Sequence, residues 1–283
     1  MRNNLKCCIF FLVLQLITMP VFAFSRGIYV TQPSAQNART INYFIQQAKR
    51  SGIDTFVIDA QYRNTRYANN VRHVVKSGIH YVARVVVFPH GGTDAQVADK
   101  RIWNKRLAIM KYAVSLGARE IQLDYIRFRA KSYSSHHKSR KIAAVVKYFK
   151  DALHVPIQID IFGVAAHGPS RTIGQDVKVL GSVVDAICPM VYPSHYEPHR
   201  YHAQRPYQTV LNSVRALKQQ LKGFPHVRVY PYIELYNYRY PLSRENKLRY
   251  IAAQIKAAKD AGANGWYAWS PNNKYSQLFQ ILR

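Results

Sequence analysis

The chain has 283 residues, 48% of them hydrophobic and 13% aromatic, and its 41 lysines and arginines face only 14 acidic residues, for a formal charge of +27. The apolar content allows a sizeable core, and with only three cysteines, two of them at positions 7 and 8, a disulfide-built scaffold is excluded. Beyond the N-terminus no uninterrupted apolar run reaches the roughly 20 residues that span a bilayer, which excludes a membrane bundle.

Arg2 and Lys6, the apolar run from Ile9 through Ile17, and the modest side chains of Val21-Phe22-Ala23 have the form of a secretory signal peptide over residues 1–23, cleaved after Ala23. An uncleaved anchor is the rival, but Met19-Pro20 and Ala23 fit a processing site better. Cleavage leaves residues 24–283 as one soluble domain, secreted or periplasmic, with Cys188 alone of the cysteines. Flanked by Ala186, Ile187 and Pro189, that thiol reads as a small buried hydrophobe rather than a nucleophile. Losing Arg2 and Lys6 lowers the formal charge only to +25, a field that favours polyanions such as acidic polysaccharide, phosphorylated surface glycans or nucleic acid. Because the basic residues are spread along the chain, a merely solvated basic surface is the equally open reading.

Strand-like runs fall at 27–31, 55–60, 81–88, 120–128, 157–163, 184–192, 227–235 and 265–270, which makes eight. Between them lie helical patterns, among them 41–50, 103–116, 140–152, 209–221 and 244–261; in the last, Leu248, Ile251, Ala252 and Ile255 share one face with basic residues opposite. Glycines at 52, 78, 117 and 262 suit left-handed helix ends just before the next strand. Strands apolar on both faces and separated by helices predict a parallel sheet, and eight such units predict a closed (β/α)8, TIM-type barrel in a single domain. The competing open doubly wound sheet would show a Gly-rich phosphate turn after its first strand, and Thr31-Gln32-Pro33-Ser34 is not one.

In such a barrel chemistry gathers at the C-terminal ends of the strands. Asp59 ends the second strand, Asp124, Tyr125 and Arg127 the fourth, Asp160 lies in the fifth, Tyr192, Ser194 and His195 follow the sixth, Glu234 and Tyr236 end the seventh and Trp269 the eighth. Asp124 is the strongest signal, because a carboxylate in so apolar a run as Ile121-Gln122-Leu123-Asp124 is costly without a partner, for which Arg127 or a polar group on a neighbouring strand is available. A salt bridge that merely pins the barrel is the alternative reading of the same residue. Asp160 on the next strand is the natural second acid, since strands lie about 4.8 Å apart and glycosidase carboxyl pairs stand roughly 5 to 9.5 Å apart. Two acids that close cannot ionise independently, so one stays protonated as donor while the other serves as nucleophile or base. Glu234 is a third candidate, and the working pair among Asp124, Asp160 and Glu234 is left open. Asp59, Tyr125, Arg127, Tyr192, His195, Tyr236 and Trp269 are the candidate substrate contacts, the aromatic ones because flat rings stack on sugar faces. His195, His199 and His202, like His136-His137, lack the fixed ligand spacing of a zinc site, so neither metal nor cofactor is expected.

Longer motifs then stand out: residues 120–128 (E-I-Q-L-D-Y-I-R-F), Asp160-Ile161-Phe162-Gly163, Ile173-Gly174-Gln175-Asp176 and residues 189–196 (P-M-V-Y-P-S-H-Y), between the opening Gly27-Ile28-Tyr29-Val30-Thr31 and the closing Gly265-Trp266-Tyr267-Ala268-Trp269. The chain resembles, over nearly all of 24–283, a family of bacterial glycoside-hydrolase-like barrels with D-Y-I-R-F-P and P-M-V-Y-P-S-H-Y signatures. The resemblance implies that Asp124 and Asp160 are active-site acids and that Arg127, Tyr192 and His195 line the cleft. The chain departs from the pattern where Ala60-Gln61-Tyr62 replaces a Lys-Asp step and where Arg129 replaces the signature proline. The function expected is cleavage of an envelope or extracellular polysaccharide, an anionic one if the basic field is a binding face. The alternative is a barrel without catalysis that binds an acidic glycan or wall polymer. A nucleic-acid role would rest on charge alone, without a recognised motif.

Overall fold

The computed structural model describes residues 24–131, 133–236 and 238–283, so the leader read at 1–23 lies outside the described residues. Among the described residues nine strands, β1 (Ser25–Val30), β2 (Thr55–Asp59), β3 (His80–Val86), β4 (Glu120–Asp124), β5 (Ile157–Phe162), β6 (Ala186–Met190), β7 (Arg228–Val229), β8 (Tyr232–Glu234) and β9 (Gly265–Trp269), pair in parallel in the order β5-β4-β3-β2-β1-β9-β8-β6-β7. The ring closes because β5 also pairs with β6. β7 and β8 are halves of one stave, broken at Tyr230-Pro231, where proline has no N–H to give to the ladder. The eight expected strands are therefore the eight staves of a closed (β/α)8 barrel.

Helices Ala38–Ser51, Lys100–Ser115, His137–Leu153, Pro206–Gln220 and Arg244–Asp260 match the five periodic stretches, four starting three residues earlier and three ending one residue sooner than expected. Helix Thr65–Lys76 fills the gap between β2 and β3. The first of these shows how its ends are set: the Asn37 side chain accepts from Thr40 N at 3.0 Å, and Gly52 stops the helix with φ of 66°. The ladder of β4 stops at Asp124 rather than running on to 128, because Tyr125 turns into the left-handed region with φ of 49°. That turn aims the residues after Asp124 across the mouth of the barrel instead of along its wall.

Outward-facing Ile28, Phe56, Ile58, Ile121, Leu123, Ile159 and Ile187 pack under the helices. The inner face differs from the expected apolar one: it holds Tyr29, Tyr232 and Tyr267 together with the buried polar residues Glu120, Gln122, Gln158, Arg84, Asp59, Asp124 and Asp160. Most of these polar groups are tolerable because they satisfy one another in layers. At the floor Glu120 accepts from Gln158 Nε2 at 2.7 Å and Arg228 Nη2 at 2.8 Å, and lies 3.0 Å from His80 Nε2. Above it Gln122 accepts from Tyr232 OH at 2.7 Å and donates to Gln158 Oε1 at 3.1 Å, with the Cys188 thiol 3.3 Å from both amides. Cys188 is buried as expected, but as a hydrogen-bonding member of this layer, and burial pushes its pKa up so that it stays a thiol.

Removing Glu120 would leave that floor with uncompensated donors. Glu120→Ala is expected to lower stability by roughly 3–5 kcal/mol, read as a lower denaturant midpoint at unchanged slope, and Glu120→Gln by clearly less.

Candidate active site at the mouth of the barrel

The third layer, at the C-terminal ends of the strands, is built on Arg84 of β3. Strand register sets Arg84 beside Asp59 of β2. The last registered pair of β4 and β5 is Leu123 with Ile159, so Asp124 and Asp160, one residue further, stand level on adjacent strands. Arg84 donates through Nη1 to Asp59 Oδ1 and through Nη2 to Asp124 Oδ2, while its Nε lies 3.7 Å from Asp160 Oδ2. The guanidinium carbon sits 5.2 Å from the Tyr29 ring centroid and 5.3 Å from that of Trp269. Burial works against the charge on Arg84, but Asp124 and Asp59 outweigh it and hold its pKa well above the ordinary value.

The three carboxylates are not equivalent. Asp59 is sealed beneath Arg84, with its other oxygen taken by Tyr29 OH at 2.5 Å. Asp124 pairs with Arg84 and accepts its own following amide, Tyr125 N, at 2.5 Å. Asp160 has no such support: its Oδ1 and the facing Arg84 Nε are both buried without a hydrogen-bond partner. Desolvation, reinforced by the charge of Asp124, pushes the pKa of Asp160 well above its ordinary value, which favours the protonated form.

Above these groups opens a cavity of about 120 Å³. Arg84, Asp124 and Asp160 give it a polar floor; Tyr125, Phe162, Tyr192, Tyr232 and Trp269 wall it, and Arg127 and Gln175 complete it. Of the residues singled out in the sequence, Asp124, Asp160, Tyr125, Arg127, Tyr192 and Trp269 thus meet in one place. Asp59, Glu234, His195 and Tyr236 are not among its lining residues. His195 is exposed beside Tyr192, with ring centroids 5.3 Å apart, and Tyr236 is also exposed. The carboxylate of Glu234 is enclosed on another side, where it accepts from Ser194 Oγ at 2.8 Å, Ser194 N at 3.2 Å and Tyr250 OH at 2.5 Å. His199 and His202 are occupied locally, the first 3.1 Å from Tyr196 O and the second 3.1 Å from Thr209 Oγ1.

Sequence reasoning missed Arg84, although the cost argument that singled out Asp124 applies equally to one arginine within His80-Tyr81-Val82-Ala83-Arg84-Val85-Val86. Phe162 and Gln175 lay inside motifs already noted but carried no role. Gln175 accepts from Phe162 N at 2.9 Å and donates to Asp160 O at 3.2 Å, which ties the loop after β5 to that strand.

A closed parallel barrel with acids gathered at the C-terminal mouth defines the class of (β/α)8 enzymes. Residues 90–275 match the family described as "putative glycosyl hydrolase domain", and the chain belongs to that family and so to the glycoside-hydrolase-type enzymes its description covers. No curated protein sequence matches it. Among solved structures it is similar to the spore cortex-lytic enzyme SleL of Bacillus cereus (TM-score 0.66, 12% identity, 92% of this chain and 74% of that one). It is similar also to the endo-beta-1,4-mannanase of Thermotoga petrophila (0.64, 13%, 92% and 76%) and to the C-terminal domain of a chitinase, so described as putative, from Desulfitobacterium hafniense (0.63, 10%, 92% and 98%). At these identities the likeness is one of fold.

Burial pushes the pKa of Glu234 up to about 7 from 4.5, against the pull of the Tyr250 and Ser194 hydrogen bonds. A carboxyl whose folded-state pKa is raised stabilises the fold at low pH, and the benefit is lost as pH rises through the folded value. Between about pH 5 and 8 the wild-type protein is therefore expected to lose roughly 3 kcal/mol that Glu234→Gln does not lose. Parallel curves of thermal midpoint against pH for the two proteins would contradict this.

Proposed function

We propose that the protein is an exported glycoside hydrolase that cleaves an envelope or extracellular polysaccharide, with Asp160 as proton donor and Asp124 as nucleophile or water-activating base. The observation that carries the reading is the pairing of unequal acids: Asp160 buried with an oxygen that has no hydrogen-bond partner, Asp124 ion-paired to Arg84, level with each other on adjacent strands of one cavity. Asp160 would give its proton to the glycosidic oxygen as the bond to the anomeric carbon breaks. Asp124 would attack that carbon directly, or take a proton from the water that does. Arg84 Nε and Asp160 Oδ1 are buried without a hydrogen-bond partner, so a sugar oxygen would reach them only with a small shift of the side chains.

A cavity of about 120 Å³ is smaller than the 300–1,000 Å³ of a pocket for a whole drug-sized ligand. It suits part of one sugar unit, with the rest of a chain crossing the mouth, where Tyr62 and Tyr236 stand exposed. The neighbours named for cortex lysis, mannan and chitin support a polymeric substrate. Export rests on the leader read at residues 1–23, and among the described residues no helix is long and apolar enough to cross a membrane. In this reading Glu234 positions the loop after β6 by holding Ser194, and it does not touch substrate.

Scoring new reducing ends on acidic, de-acetylated and peptidoglycan-type polymers tests the proposal. Asp124→Asn is expected to lower turnover about 10²- to 10⁴-fold without unfolding the barrel, since Arg84 keeps Asp59. Asp160→Asn should lose a similar factor on natural linkages but recover on aryl glycosides, whose leaving group needs no proton. Full activity of the Asp124 variant would refute the assignment. Salt-sensitive binding by the wild-type protein with no reducing ends on any polymer would favour the non-catalytic glycan-binding barrel instead.

A further inference from the structure

The cavity holds two arginines, and only one is ion-paired. Arg84 faces Asp59, Asp124 and Asp160, whereas Arg127, 8% exposed, has no carboxylate within 4.0 Å among the described residues. Its guanidinium carbon lies 5.1 Å from the Tyr125 ring centroid and 4.9 Å from that of Phe162, so the plane is clamped between two aromatic side chains. One edge is committed to the protein: Nη1 donates to Phe128 O at 2.9 Å, and Gly91 backs it so closely that a Cβ there would lie 2.7 Å from Nη1. Among the described residues the Nε and Nη2 groups make no hydrogen bond to the protein and are not sealed from solvent, and Arg127 lines the cavity. A buried cation without an anion is costly, and proteins rarely keep one that nothing fills. The fold supplies the usual remedy elsewhere, as with Arg228 on Glu120 at the floor.

The surroundings carry the same sign. The connections that follow the strands at this end bring Arg63, Arg129, Lys131, Arg171, Arg239 and Lys274. Their carboxylates are all engaged: Asp94 accepts from Lys141 Nζ at 2.7 Å and Tyr133 OH at 3.0 Å, Asp99 and Asp176 cap the helices that follow them through Arg101 N at 2.8 Å and Lys178 N at 3.0 Å, and Glu197 lies 2.6 Å from His199 Nε2.

We infer that the sugar unit entering the cavity bears a carboxylate and that Arg127 reads it, through a planar two-pronged contact made by the edge left open between Tyr125 and Phe162. This rests on the hydrolase reading for the sugar, but not for the anion. The carboxylate has two sources, the C6 acid of a uronic unit and the lactyl acid of a muramyl unit, and Arg127 is then the residue that selects acidic over neutral chains.

The test is binding by the full-length mature protein, measured calorimetrically in the cold on uronate tetrasaccharides and on muramyl glycan fragments, each against its carboxyl-reduced counterpart. At 1 M NaCl the screening length is about 3 Å, so the surface field drops out while a buried contact persists. The wild-type protein is expected to bind one acidic probe about tenfold or more tighter than its reduced form, and the probe that shows this names the source of the acid. In Arg127→Gln the acidic-to-neutral ratio should fall to about one. Arg127→Lys, which keeps charge but not the planar fork, should also lower it, and it replaces the glutamine variant if that one does not fold. A wild-type ratio near one for both probes, or a ratio unchanged in either variant, overturns the inference. Absence of reducing ends from every polymer would instead sink the hydrolase reading while leaving the ratio standing.

Discussion

A guanidinium placed inside a β-barrel has to be surrounded by negative charge, or the desolvation of the cation opposes folding. Arg84 meets that requirement by drawing carboxylates from both of its neighbouring strands, Asp59 of β2 and Asp124 of β4. The consequence falls on the third acid. With one cation already shared by two anions, Asp160 can approach only the less exposed Nε at 3.7 Å, and burial beside Asp124 favours its protonated form. One constraint thus sorts three chemically identical side chains into a buried anchor, a paired anion and a proton holder.

The layers below keep this sorting in place. Glu120, Gln158, Gln122 and Cys188 link the neighbouring strands β4, β5 and β6, Tyr232 of β8 reaches Gln122 across the ring, and each hydrogen bond requires a particular strand register. A slip by one residue would turn Asp124 and Asp160 out towards the helices and bring isoleucine and leucine in. The polar interior therefore does more than occupy space: it makes the register that levels the two acids the one in which the floor is satisfied as well.

Much of this was legible in the sequence, for reasons that can be traced. The staves show themselves because their outward faces are β-branched and their helices end on residues such as Gly52, which adopts the left-handed conformation the sequence suggested. Asp124 and Asp160 show themselves because a charge in an apolar strand needs an explanation. Arg84 obeys the same rule and was overlooked, since a lone basic residue in a strongly basic chain does not stand out. The inner face was read as apolar because glutamine and tyrosine reveal nothing about where they point until the register is known. Glu234 was grouped with the other acids by its position at a strand end. Only the fold shows that its side chain meets Ser194 of the loop after β6 and Tyr250 of helix Arg244–Asp260 and does not line the cavity.

The inward placement of acids also shapes how the molecule behaves as a colloid. Asp59, Glu120, Asp124, Asp160 and Glu234 are buried, five of the 14 acidic residues, which leaves nine to face most of the chain's cations at the surface. Any hydrated network of fixed anions then acts on this protein as an ion-exchange bed. Donnan partition concentrates it within the gel, and mobile salt sets how freely it percolates.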